Sequence, residues 1–217
     1  VTCILPGLFN VSNCLAAIAA TYYGLNLPLE GIQRGIAAVN LVPGRMERID
    51  MGQDFRVFVG FAHTPNALEN ALQAVRKTTR GRILAVFGSA GLRDREKRKM
   101  MAEISIQHAD LTILTAEDPR TESLEDILSE MARAAENRGG EEGKSFWRFQ
   151  DRGEAIRVAI VMAKEGDVVI VCGKGHEQSM CFGQTEYPWD DRTAVRAALA
   201  EFLGVPGPEM PLLPTSG

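Results

Sequence analysis

A chain of 217 residues holds one full domain or one domain plus part of another, and 45% hydrophobic with 24% charged residues is the composition of an ordinary soluble globular protein. A net charge of −4 gives no pull toward nucleic acid or an anionic membrane, and no apolar run is long enough to span a bilayer. The four cysteines form no C-x-x-C pair and the three histidines stand apart, so reduced thiols and no metal site are expected.

The start, Val1-Thr2-Cys3-Ile4-Leu5-Pro6, lacks the basic region of a signal peptide and an initiator Met, which reads as a cytoplasmic protein and a piece of a longer chain. Asn13 to Leu25 and Leu29 to Val39 read as helices, broken at Gly24 and Pro28. Val42-Pro43-Gly44 stops the helical region and marks a domain boundary. Strands and helices alternate beyond it. Arg56 to Val59 is β-rich, and Thr64-Pro65 opens a helix to about Thr79, with Thr64 as N-cap. Ile83 to Phe87 is an apolar strand, Arg93 to His108 a basic helix, and Leu111 to Thr115 another strand. Ser123, with Asp126 three residues on, starts a helix that ends near Asn137. After the loop from Arg138 to Gly143 come a helix from Ala155 to Lys164 and a buried strand from Asp167 to Cys172. Gln178 to Pro188 reads as a hairpin around Gly183-Gln184, and Asp190 to Leu203 as the last helix. The proline-rich tail, Val205 to Gly217, reads as disordered.

This order implies an α/β fold: a Rossmann-like, mostly parallel sheet with helices on both faces, over residues 44–204. Ligands of such sheets bind beyond the C-terminal strand ends. The polar segments Gly60 to His63, Gly88 to Asp94, Glu117 to Arg120 and Gly173 to Glu177 all fall there.

In Gly173-Lys174-Gly175-His176-Glu177 the glycines let a ligand approach the backbone and Glu177 can accept from an ammonium; a tight turn with a solvated surface is the alternative. In Glu117-Asp118-Pro119-Arg120 the arginine can grip a carboxylate while a neighbouring acid takes an ammonium, as a zwitterionic amino acid requires; the alternative is an exposed ion pair before a helix. Within the charge run 93–99, Arg93 lies at the ligand edge and the later basic residues on a solvated face. Gly139 to Ser145 imitates a phosphate loop, but it is one residue short, follows no strand and carries Glu141 and Glu142. His63 and His176 are available as bases, yet no Ser or Cys sits at a strand-to-helix elbow.

Six ordered motifs resemble the Mur ligases of peptidoglycan synthesis. Gly7 to Asn13 is similar to the G-x-F-N-x-x-N that ends the family's central domain, and Val42 to Glu47 to its V-P-G-R-M-E linker. Phe61 to Leu68, Phe87 to Asp94, Glu117 to Arg120 and Gly173 to Glu177 resemble its Y-A-H-T-P-D-x-L, F-G-x-x-G-x-R-D, D-N-P-R and G-K-G-H-E motifs. The resemblance implies the C-terminal portion of an ATP-dependent, C–N bond-forming ligase. Residues 1–43 would be the helical end of the ATP-binding central domain, and 44–204 the amino-acid-binding domain. It implies the addition of a diamino acid (lysine, ornithine or diaminopimelate) to UDP-N-acetylmuramoyl-L-alanyl-D-glutamate, by a monomer. Arg93, Glu117, Asp118, Arg120, Gly173 and Glu177 would hold the diamino acid, and Asn10, Asn13, Arg45 and His63 would lie near the nucleotide. ATP and Mg would be held mainly by the N-terminal and central regions outside this chain. Without the phosphate loop, the UDP-sugar domain and the family's modified lysine, the chain alone is expected to be inactive, with no catalytic residue of its own.

The chain departs from the family pattern at two places. Gly60-Phe61 stands where the family has Asp-Tyr, which puts a ribose contact in doubt. Asp118 replaces an Asn, and two acids beside one arginine would favour lysine or ornithine over diaminopimelate. A folylpolyglutamate-synthase-like ligase and a non-catalytic Mur-like binding domain are the alternatives.

Overall fold

The computed structural model describes residues 1–5, 7 and 9–216. Leu8 of the first motif and Gly217 of the tail lie outside the described residues. The chain divides into two compact units, Val1–Pro43 and Gly44–Gly217.

In the first unit, α1 (Phe9–Ala19) runs into one π-helical turn, Ala20–Gly24, and α2 (Leu29–Ala38) follows. Ile32 is the one large apolar side chain buried among its described residues, while Phe9, Leu15, Tyr23 and Leu25 are exposed. A unit that buries so little has no hydrophobic core of its own.

The second unit holds β1 (Glu47–Ile49), β2 (Arg56–Gly60), α3 (Pro65–Arg76), β3 (Ile83–Phe87), α4 (Arg95–His108) and β4 (Leu111–Leu114). It continues with α5 (Leu124–Asn137), β5 (Phe146–Arg148), α6 (Arg152–Met162), β6 (Val168–Cys172), the hairpin β7 (Ser179–Phe182) and β8 (Thr185–Pro188), and α7 (Asp191–Leu203). The six-stranded sheet has the order β1-β2-β6-β3-β4-β5 and is parallel except for β1. The expected α/β class and sheet type are therefore present. The central strands β3 and β6 are buried on both faces, which their unbroken apolar runs require. Residues of α3, α4 and α5 pack on one face, and residues of α6, α7 and the chain's end on the other.

Five helices start on a side-chain cap: Thr64, Asp94, Ser123, Asp151 and Asp190 each accept a backbone N–H of the first turn. The chain from β3 through β5 moves steadily toward one edge, and α6 then returns it to β6, between β2 and β3. Such a reversal opens a crevice at the C-terminal strand ends.

Two features differ from the sequence reading. β1 and β5 have three residues each, too few for an alternating pattern to show. The tail does not stand free: Leu213 is 5% exposed within the core, and the Thr215 and Ser216 hydroxyls donate to Asp151. One apolar anchor and two hydroxyl donors outweigh the proline content that suggested disorder.

Candidate functional site

The loops after β2, β3, β4 and β6 enclose a cleft of about 420 Å³, within the size range of small-molecule sites. The six residues picked out as a substrate pocket, Arg93, Glu117, Asp118, Arg120, Gly173 and Glu177, all line it, together with His63. Lys97 lines it too, and Arg98 is fully buried, so the charge run on α4 is only partly solvated.

The cleft loops are held in uncommon backbone shapes. Leu92, Asp118 and Arg120 have φ of 55°, 43° and 55°, which costs non-glycine residues about 1–2 kcal/mol each. Neighbouring hydrogen bonds offset that strain. Gly91 N–H donates to Asp118 O at 2.9 Å, and Arg120 N–H to Cys181 O at 3.1 Å. Gly183 N–H donates back to Arg120 O at 2.7 Å, and Cys181 N–H to the Asp118 carboxylate at 2.8 Å. The β7–β8 hairpin thus grips the loop after β4. On its other side Glu122 accepts Leu92 N–H at 2.9 Å and the Arg98 guanidinium at 2.8 and 3.0 Å. The Arg98 hydrogen bonds, with help from Leu92, hold the Glu122 carboxyl down at about 2.

Charge in the cleft is sorted into pairs and unpaired groups. Lys174, 2% exposed, donates to both Asp118 oxygens at 3.0 and 2.8 Å and pairs with Glu177 at 2.9 Å. Burial disfavours its ammonium, but the bonds to Asp118 and Glu177 outweigh that and raise its pKa. Asp118 is therefore not the spare acid expected from its departure from Asn: an internal ammonium already neutralises it. Arg93, Lys97 and Arg120 line the same space and form no side-chain hydrogen bond or ion pair among the described residues.

Glu117 is the unpaired acid. It is 5% exposed, and its Oε2 has no hydrogen-bond partner among the described residues. Burial pushes its carboxyl up to about 7, against the pull of Arg152, Lys97 and Lys174 and with a push from Asp118. The space beside it exists because residue 173 is glycine: its φ is +115°, and a Cβ there would overlap the Glu117 carboxylate. A pKa raised from 4.5 to about 7 means the folded state holds this proton more tightly than the unfolded chain. The contribution to stability is full below pH 4.5 and lost as pH rises through about 7. It amounts to ~3 kcal/mol at most. Urea unfolding between pH 4.5 and 8 is expected to show stability falling with pH, and Glu117→Gln to flatten that slope.

Under the cleft lies a buried ion pair, one partner of which, Arg152, fell outside the elements read from the sequence. Arg152 and Asp191 are both 0% exposed and bond at 2.7 and 2.8 Å. Arg152 also donates to Ala116 O at 3.0 Å and Cys172 O at 2.8 Å. Its place on a helix was missed because α6 was expected to start at Ala155. Asp151-Arg152-Gly153-Glu154 carries a recognisable N-cap signal, since Asp151 accepts Glu154 N–H at 2.7 Å.

Arg45 lies 4.5 Å over the Phe61 ring, which packs against His63 and His176 at 4.4 and 4.8 Å between centroids. At Gly60 an added Cβ would meet only Met46, at 3.6 Å, so the position has room for a side chain and no acid to offer. Asn13 donates to Asn10 at 2.9 Å within the first unit. Among the described residues no group of three or more His, Cys, Asp or Glu side chains is placed to hold a metal, and no helix is long and apolar enough to cross a membrane. In the Gly139 to Ser145 segment, Lys144 pairs with Glu141 instead of presenting a phosphate cradle.

The family model described as "Mur ligase, glutamate ligase domain" matches residues 44–175. A UDP-N-acetylmuramyl-tripeptide synthetase of Roseiflexus sp. (strain RS-1) is 47% identical over 206 residues, covering 94% of this chain and 40% of that protein. A UDP-N-acetylmuramoyl-L-alanyl-D-glutamate–2,6-diaminopimelate ligase of Geobacillus thermodenitrificans (strain NG80-2) is 43% identical, over 91% of this chain and 39% of that one. A solved structure of a ligase of the same name superposes with a TM-score of 0.69 at 33% identity, covering 94% of this chain and 40% of that chain. A Mycobacterium tuberculosis folylpolyglutamate synthase shares the fold, with a TM-score of 0.63 at 19% identity and coverage of 94% and 42%. The chain thus spans about two fifths of the length of the relatives it matches.

Proposed function

Because this chain belongs to the Mur ligase family, with the family's glutamate ligase domain at residues 44–175, we propose that it is the amino-acid-binding part of an ATP-dependent ligase that adds diaminopimelate to UDP-N-acetylmuramoyl-L-alanyl-D-glutamate. The observation that carries this reading is the cleft's charge: Arg93, Lys97 and Arg120 unpaired, facing one unpaired buried acid, Glu117. The far end of diaminopimelate is a carboxylate and an ammonium on one carbon. The carboxylate meets the cations, Arg120 and Arg93 foremost, since a guanidinium can hold it in two places. The ammonium meets Glu117, with Glu177 beside it. Lysine and ornithine lack that carboxylate and would leave the three cations unanswered. Glutamate, the choice of a folylpolyglutamate-synthase-like ligase, has no second amine for Glu117. With Asp118 already paired to Lys174, its departure from Asn does not argue against a carboxylate-bearing substrate.

Holding the far end leaves the near amine as the nucleophile, aimed at the acceptor carboxyl group by position alone. ATP, when bound, supplies the activation of that carboxyl group. Of this unit's residues, Arg45 and His63 beside Phe61 would face the nucleotide, and Gly60 offers its ribose no acid. Mg would be held by other parts of the longer protein. Residues 1–43 would be the end of the central domain, their exposed apolar side chains covered by the chain that precedes them.

The test is labelled diaminopimelate with ATP and the UDP-linked dipeptide, supplied to a polypeptide that includes the preceding region and to the 217-residue chain alone. Incorporation by the longer protein only is the expected result. Turnover by the 217-residue chain, or a longer protein that does not incorporate diaminopimelate, would overturn the proposal.

A further inference from the structure

We propose that Arg152 is a positioning residue for the cleft: with Asp191 as its counter-ion, it ties the loop after β4 to the loop after β6 and so sets Glu117 against Gly173. The role rests on reading the cleft as an amino-acid site. The residues it bonds are Ala116 and Cys172, which immediately precede Glu117 and Gly173. One rigid fork therefore spans the roots of both loops, while its Nε and Nη2 hold Asp191 in two places. Trp189, just past the hairpin that grips Arg120, donates its indole N–H to the same Asp191 at 2.9 Å. The roots of two cleft loops and the segment just past the hairpin thus converge on one ion pair.

Stability alone does not account for this arrangement. A fully buried ion pair gains little over a well-packed apolar pair of the same volume, so its presence here points to a geometric task. A lysine in its place carries the charge but has no planar fork to reach two carbonyls and a carboxylate together. Arg152 does not line the cleft, so it acts through the loops and through its field. Among the groups around Glu117, it gives the largest charge opposing the effect of burial; Lys97 and Lys174 act in the same sense and Asp118 in the opposite one. Asp191 partly offsets that field.

The two partners should therefore move Glu117 in opposite directions. In the 217-residue chain, the Glu117 carboxyl is followed by carbon-13 NMR titration, assigned with Glu117→Gln. In Arg152→Lys the midpoint is expected to rise by about one pH unit, because the displaced charge no longer sits against the loop. In Asp191→Asn it is expected to fall, because the arginine's field is less compensated. Diaminopimelate affinity, measured by calorimetry at pH 7, should drop about tenfold or more in Arg152→Lys. A purely structural role would lower the melting temperature and leave the Glu117 midpoint in place. Midpoints unchanged in either folded variant would overturn the proposal. If the unaltered chain does not bind diaminopimelate, the substrate reading fails by itself, and the NMR midpoints still decide the role of Arg152.

Discussion

Replacing Gly173 with alanine is expected to weaken diaminopimelate binding by at least ~100-fold and to destabilise the domain by ~1–3 kcal/mol. Two separate costs add. At φ +115° any side chain strains the backbone, and the new Cβ would overlap the Glu117 carboxylate. The overlap falls on the carboxylate end of the Glu117 side chain, which no hydrogen bond to Oε2 among the described residues holds in place, so it is relieved by turning that carboxylate aside. The carboxyl group must leave the position where it meets an ammonium. Gly183→Ala separates the two costs. Gly183 also has a positive φ, +63°, but an added Cβ there meets nothing within 4 Å. That variant should lose ~1 kcal/mol in urea unfolding and keep its affinity. Equal loss of affinity in both variants would show that backbone strain, not contact with Glu117, governs position 173.

Arg120→Ala in the longer ligase is expected to lower kcat/KM for diaminopimelate by ~30- to 1000-fold, the equivalent of ~2–4 kcal/mol for a charge-assisted, two-point contact. The backbone of Arg120 is set by Cys181 and Gly183 and needs no help from its side chain. The loss should therefore appear in turnover rather than in folding. Arg120→Lys should recover only part of it, since an ammonium meets one oxygen at a time. Lysine, without a distal carboxylate, should be used no worse by Arg120→Ala than by the unaltered enzyme. A fall of only a few-fold for diaminopimelate, or an equal fall for both amino acids, would remove Arg120 from carboxylate recognition.

Much of this site was legible because the fold puts strand ends together. Once β3, β4 and β6 were recognised as buried parallel strands, the polar segments after them had to share one edge, and six residues read from those segments line one cleft. What could not be read was pairing. Asp118 looked like a spare acid, since no sequence pattern says that Lys174, 56 residues away, reaches it with both oxygens engaged. Lys97 looked solvated because a charge run does not reveal which helix face turns toward the loops. Arg152 was hidden by a helix start placed three residues late, although Asp151 marked the cap. The tail was misjudged for a related reason: Leu213 is a single buried contact, too little to show as a periodic pattern.

The most direct measurement is calorimetric titration of the 217-residue chain with diaminopimelate, lysine and ornithine in parallel, at pH 6 and pH 8. Diaminopimelate is expected to bind at least ~10-fold more tightly than the other two, because only its distal carboxylate answers Arg93, Lys97 and Arg120. Its ammonium should also expel the Glu117 proton, so binding at pH 6 should release protons and be weaker than at pH 8. Equal affinity for the three amino acids, or a preference for lysine, would contradict the assignment of the cleft to a diamino acid that carries a second carboxylate.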